Sequence, residues 1–380
     1  MNMKKTVIWL AFVWGLGFLS AEGNVSFSGA LETKWGVGAP WTDSSGGRMT
    51  IGDTSFEGKL DAYYDNSSAF ADGKVSYDAG SEEICFLLGE LWLDYSSSFW
   101  GIRLGRQKTA WGKADGIDIT NVICPVDMSN LSAIMEDDNK LAIDAMRLSF
   151  YGNSFTIDAF WIPFFTPAKL PVSASGAKKP EVAIWNGEYA LKMSGYLSAF
   201  DVSVYAYYGW DDIPLIDYAA LTASYERMTM FGADAAVPVG ETVLRFEAAY
   251  FPYRYSRTDE LSALAGIDWM PDTWTLTAQY YCDYVFEKLT SLGRDEKYQH
   301  GVTLSLSKTF LNETLELSFS GVLEFNDLDS MISPEISYSL SDQISLTAGG
   351  IIFIPGPEND GQYGAYKDFS SLYIKAKYSF

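Results

Sequence analysis

One histidine, three cysteines and only 27 basic residues against 49 acidic ones leave this 380-residue chain short of several kinds of chemistry. A lone histidine without a cysteine cluster excludes a typical zinc site. Cys85, Cys124 and Cys282 lie far apart with no C-x-x-C pair, and an odd count cannot pair fully. Cys85 and Cys282 fall on the apolar faces of their expected strands and read as small hydrophobes. A hydrolase triad needs a base, and the parity of His300 matches Val302 and Leu304, at the rim of an apolar face with no Ser or Asp partner set by motif. The aspartates of the longest loop miss the spacing of an EF-hand. No catalytic residue, metal or cofactor is therefore expected, and the chain reads as a non-enzyme. A net charge of -22 would repel nucleic acid. Long hydrophobic runs are also missing: none beyond the N-terminal segment approaches 18 apolar residues, so helical membrane spans are not expected.

Aromatics, by contrast, are abundant. They make up 16% of the chain, with 24 Tyr, 23 Phe and 12 Trp, while mean hydropathy stays at -0.02. Aromatic girdles around a barrel whose strands show alternate side chains to water would produce both values. At the N-terminus Lys4 and Lys5 precede an apolar run, Val7–Leu19, followed by Ser20, Ala21 and Gly23. This is the pattern of a secretory signal peptide over 1–23, which leaves 24–380 as a single domain.

The end of the chain, FSSLYIKAKYSF, alternates strictly. Leu372, Ile374, Ala376, Tyr378 and Phe380 share one parity, and Tyr373, Lys375, Lys377 and Ser379 the other. A strand that pairs with the first one would remove both sheet edges, as lipid requires. An aromatic C-terminal residue resembles the signal read by the outer-membrane barrel-assembly machinery, which makes Phe380 the expected contact. Alternating segments of this kind recur along the whole chain, joined by short and long connections in turn. The reading is an all-β, transmembrane antiparallel barrel of about 16–18 strands, with short periplasmic turns and long external loops. Apolar sets such as Leu244/Phe246/Ala248/Tyr250 would face lipid. Charged sets such as Arg103, Arg147, Asp158, Lys192, Arg245 and Glu247 would face a watery lumen, because a charge on the lipid face near the midplane costs roughly 2–4 kcal/mol.

Lys108–Asn139 interrupts the alternation and is the longest connection, a length that usually signals function. Trp111, Ile117, Ile119, Val122 and Ile123 need burial, and Asp127 or Ser129 suits the cap of a short helix through Met135. The segment is expected to fold into the lumen as a constriction. There Asp115, Asp118, Asp127, Glu136 and Asp137 would approach basic wall residues Arg103, Arg106, Arg147 and Arg245. Opposed charges at a narrow point set a transverse field that sorts solutes by charge and dipole.

Gly105-Arg106-Gln107, Trp111-Gly112, Asn121 and Pro125-Val126-Asp127 resemble a motif of a family of porin-like outer-membrane barrels of Gram-negative bacteria. The strand Arg245-x-Glu247-Ala248-Ala249-Tyr250 is similar too. The resemblance implies outer-membrane location and porin-like transport of small solutes rather than a named substrate. The expected function is passive diffusion of small hydrophilic solutes, with outer-membrane lipid as surroundings and homo-oligomerisation open. The alternatives are a transporter for hydrophobic compounds, which needs an apolar interior, and a surface adhesin or structural barrel that works through its loops.

Overall fold

A computed structural model describes residues 24–134, 138–170, 177–217, 222–255, 257–290, 294–358 and 361–380. The expected signal segment, together with Met135, Glu136 and Asp137, lies outside the described residues. The chain forms β1 (Asn24–Gly38), β2 (Met49–Tyr64), β3 (Ser67–Asp78), β4 (Glu83–Ser96) and β5 (Trp100–Gln107). After a long connection come β6 (Ile143–Tyr151), β7 (Phe155–Ile162), β8 (Glu188–Tyr196) and β9 (Asp201–Trp210). A small external hairpin, β10 (Leu215–Asp217) and β11 (Thr222–Ser224), stands apart from the wall. The wall resumes with β12 (Arg227–Val239), β13 (Thr242–Arg254), β14 (Thr258–Trp269), β15 (Trp274–Val285) and β16 (Tyr298–Phe310). It ends with β17 (Leu315–Glu324), β18 (Ser330–Ser339), β19 (Ile344–Ile354) and β20 (Ser371–Ser379).

Apart from the β10–β11 hairpin, every strand pairs antiparallel with its chain neighbour in one 18-stranded sheet, and β9 pairs with β12 across the hairpin. The sheet closes where β1 meets β20, from Ala30 opposite Ser379 to Gly38 opposite Ser371. Phe380 completes this seam. Its backbone exchanges two 3.0 Å hydrogen bonds with Gly29, and its ring lies 5.9 Å from Phe27 and 6.3 Å from Phe56. A Cβ on Gly29 would sit 2.8 Å from that ring, so only glycine leaves room for it.

The closed sheet is inverted relative to a soluble protein. On β13, Phe246 and Tyr250 are exposed while Glu247, Ala249 and Phe251 are buried. On β20, Leu372, Ile374 and Tyr378 are exposed and Tyr373 is buried. Across the barrel the buried polar set includes Lys34, Gln107, Glu188, Asp234, Glu247, Asp268 and Glu324. Large apolar side chains facing out all around a closed sheet are stable only in lipid. No described helix is long and apolar enough to cross a membrane, which says nothing of strands.

Hairpin turns at the end carrying both described termini span two to four residues each, for example Asp65–Asn66 and Gly240–Glu241. Gly240 has φ 64°, a conformation glycine adopts without penalty. The far end is less uniform than expected. Three of its connections are also short, because β3/β4 and β13/β14 extend their ladders and β17 runs on almost directly to β18. A further departure lies in β4. Between the pairs Ala71–Leu91 and Gly73–Leu88 it holds one residue more than β3. This bulge reverses the faces above it. Ile84, Phe86 and Leu88 turn outward, and Cys85 shares the inward parity of Leu87 instead of the apolar face expected for it.

Candidate functional site

The connection between β5 and β6 leaves the wall after Gln107, which is fully buried and donates from Nε2 to Ala145 O at 2.9 Å, two residues beyond Gly105 with φ 126°. A side chain at Gly105 would collide with the backbone of Leu91. The chain then crosses to strands far from its own roots. Trp111 stacks on Tyr205 of β9, ring centroids 4.8 Å apart, and meets Phe160 of β7 edge-on at 6.2 Å. Ile119, Ile123 and Cys124 join the same buried cluster, with Met230, Phe251 and Leu264 from the inward faces of β12, β13 and β14. Ile117 and Val122 pack on it partly buried. The main apolar core of the molecule therefore lies between this segment and the inner wall.

Glu247 on β13 is the anchor. Its carboxylate accepts from the backbone of Lys113 (2.8 Å), Ala114 (2.9 Å) and Thr120 (2.7 Å), and from Thr120 Oγ1 (2.8 Å). The Gly112 amide donates to the Tyr205 hydroxyl at 3.0 Å. Gln279 on β15 accepts from the Asp115 amide at 2.9 Å and returns a bond to the Asp115 carbonyl at 2.6 Å. Arg245 donates to Lys113 O at 2.6 Å while its Nε holds Asp268 at 2.5 Å. A buried carboxylate that gathers four donors is well compensated, since each bond to a charged acceptor contributes on the order of 1.5–3 kcal/mol.

The described carboxylates of this segment do not pair with the arginines expected to meet them. Asp118 pairs with Lys140. Asp127 pairs with Lys169 at 2.6 Å and accepts from Ser129 Oγ at 2.7 Å. Burial pushes the Asp127 carboxyl up, but these partners outweigh it and hold the acid below its usual range. Neither Asp127 nor Ser129 caps the short helix Leu131–Ile134; Asn130 Oδ1 does, accepting from the Ala133 amide at 2.9 Å. Asp115 is exposed, and Glu136 and Asp137 are outside the described residues.

The arginines take partners from the wall instead. Arg103 and Arg147 stand directly opposite each other on β5 and β6. Arg103 holds Asp94 at 2.9 Å with its guanidinium 3.7 Å above the Trp92 ring, and Arg147 lies 4.0 Å from both Asp94 and Asp158. Lys192 on β8 sits opposite Asp158, its ammonium 3.5 Å from Ala110 O. Two adjacent cations facing each other across strands repel, and flanking carboxylates offset that cost. Arg106 is the exception. It shares the outward parity of Leu104 and Met146 and pairs with Asp144 at 3.0 Å on that face. It is therefore no lumen residue.

Sequence reasoning placed Glu247 in the lumen but missed its role, as it missed Gln279 and Tyr205. Their signal was present only as polar residues at inward parity. Among the described residues no group of three or more His, Cys, Asp or Glu side chains is placed to hold a metal. His300 joins Tyr280 at 3.0 Å within a ring cluster with Tyr298 and Phe325.

The closed barrel, its inverted faces and its inward segment define the porin class of fold. Many solved structures share it, and three illustrate the likeness. They are Pseudomonas aeruginosa OccK2 (OpdF) in complex with glucuronate (TM-score 0.61, 10% identity, 94% of this chain and 98% of that one), P. aeruginosa OpdK with vanillate (0.57, 9%, 94% and 98%) and Acinetobacter baumannii OccAB1 (0.58, 8%, 95% and 97%). At such identities the likeness is one of fold. No family model matches the chain, and comparison with curated proteins finds no match.

Proposed function

We propose that this protein is an outer-membrane, porin-like channel for the passive diffusion of small hydrophilic solutes, with 108–139 as its constriction. The observation that carries this reading is the anchoring of residues 112–120 on Glu247 and Gln279, on strands remote from the segment's own roots. A segment tethered across a polar interior narrows it without filling it. The inward row Arg103, Arg147 and Lys192 runs beside the first residues of that segment. Set against their neighbours Asp94 and Asp158, these three cations leave an excess of one positive charge, which favours anionic solutes locally against the -22 charge of the whole chain. The two solutes named for the fold relatives, vanillate and glucuronate, are both carboxylates, which fits the same sign. A transporter of hydrophobic compounds would need an apolar passage, and the interior charges argue against one.

The partners follow from the same placement. Outer-membrane lipid surrounds the exposed apolar face, the assembly machinery meets the final strand at Phe380, and 24–380 act as one domain after removal of 1–23. Planar-bilayer recording tests the function. Stepwise conductance from the purified, folded protein is expected, and silence from folded protein would count against a channel.

A further inference from the structure

Between β7 and β8 the chain does something costly. Residues 181–187 form a turn with a 3-10 helix, Ile184–Asn186, whose apolar side chains stand in the open. Val182 is 68% exposed, Ile184 73% and Trp185 76%. Exposed apolar tips on a floppy loop need no explanation, but this turn is built. Arg227 donates to the carbonyls of Gly187 and Trp185, both at 3.2 Å. Its guanidinium lies 4.1 Å over the Trp210 ring and 5.0 Å over that of Tyr208. Trp210 Nε1 donates to Asn186 O at 3.0 Å, Asn186 Nδ2 to Glu181 O at 2.8 Å, and the Tyr189 hydroxyl to Ile184 O at 3.3 Å.

Those partners also locate the turn. Tyr189 and Tyr208 belong to the outward, apolar rows of β8 and β9, in line with exposed Leu191, Met193 and Val204. The segment therefore bends out over the upper edge of the lipid-facing wall rather than over the lumen. Just before it stand Lys178 and Lys179, both exposed and neither in an ion pair among the described residues. In a chain of net charge -22, two free lysines beside a fixed apolar ledge are out of character. Glu181 places one opposing carboxylate in the same stretch.

We propose that residues 178–186 form a docking site for anionic lipid of the outer leaflet. Val182, Ile184 and Trp185 enter the acyl boundary, and Lys178 and Lys179 take the headgroup phosphate. The ledge continues the lipid-facing wall, its aromatics suit the interface, and its charge complements a phosphate. The inference rests on the membrane placement argued above and not on conduction, so a silent barrel would leave it standing.

The test uses the full barrel with Val182→Cys, labelled with a polarity-sensitive fluorophore, in a Cys85→Ser/Cys282→Ser background that leaves only the buried Cys124. It is reconstituted in vesicles of phosphatidylcholine with and without phosphatidylglycerol. The expected result is a label shielded from aqueous quencher in both. Brominated phosphatidylglycerol should quench it at a concentration roughly tenfold lower than brominated phosphatidylcholine, and Lys178→Gln/Lys179→Gln should erase that preference. A water-exposed label in folded protein would overturn the proposal. So would equal quenching by the two lipids, or shielding that appears only at protein densities where barrels associate, which would make the occupant a second copy of the chain.

Discussion

Gly112 and Glu247 occupy each other's space: a Cβ on the glycine would stand 2.5 Å from the glutamate's Oε1. Gly112 also has φ 82°, which an L side chain rarely adopts. A turn near the root of the long segment is thus shaped to let a wall carboxylate reach two successive amides beyond it. Gly112→Ala should strain this turn by about 1–3 kcal/mol in backbone terms alone. Limited proteolysis of the folded barrel is expected to cut within 108–139 faster than in the wild type; an unchanged rate would remove the glycine from the anchoring device.

Glu247→Ala should have the larger effect. It leaves the Lys113, Ala114 and Thr120 amides without their acceptor, each a loss on the order of 1–3 kcal/mol where water cannot substitute. If the segment narrows the pore, single-channel conductance should rise and become noisier while the barrel keeps its heat-modifiable migration. Unchanged conductance from a folded barrel would separate the anchor from the constriction.

Charge reversal at Arg103 tests selectivity. Arg103 holds Asp94 and pairs with no described carboxylate of the long segment, so Arg103→Glu should leave that segment in place. It exchanges a cation for an anion beside Arg147, and reversal potentials in a salt gradient should shift toward cations. Arg106→Glu is the control, since Arg106 faces outward to Asp144 and should leave selectivity unchanged.

Asp212, in the external connection after β9, has its carboxyl pushed up to about 7, first by burial and then by neighbouring Asp211. A raised acid binds its proton more tightly when folded. Its contribution to stability is therefore full below the ordinary carboxylate range and declines as pH rises toward 7. Hydrogen exchange in the described residues of 211–226 should speed up between about pH 4 and 7 (beyond the intrinsic base-catalysed rise), and Asp212→Asn should flatten that change. An identical profile in the variant would exclude Asp212 as its source.

Phe380→Ala keeps the backbone bonds to Gly29 but removes ring contacts with Phe27 and Phe56, worth roughly 0.5–1.5 kcal/mol per aromatic pair. In cells the folded fraction should fall by more than that local loss implies if the assembly machinery reads the final ring. Equal recovery of variant and wild type would sink that role.

The architecture was legible in the chain because a barrel wall writes itself as period-2 alternation. Which residues face lipid follows from parity, and the count of about eighteen strands follows from turn chemistry. Local patterning failed where the ladder gained a residue, as in the β4 bulge that turned Cys85 inward. It also left open the partners of the long segment. Asp118 and Asp127 found Lys140 and Lys169, while Arg103 and Arg147 found Asp94 and Asp158. Glu247 lies 127 residues from Thr120 in the chain, and no spacing rule links them. Alternation is a property of neighbouring residues and so belongs to the sequence. Which inward side chain meets which loop amide depends on how closure of the sheet brings distant strands together, and only the tertiary structure decides that.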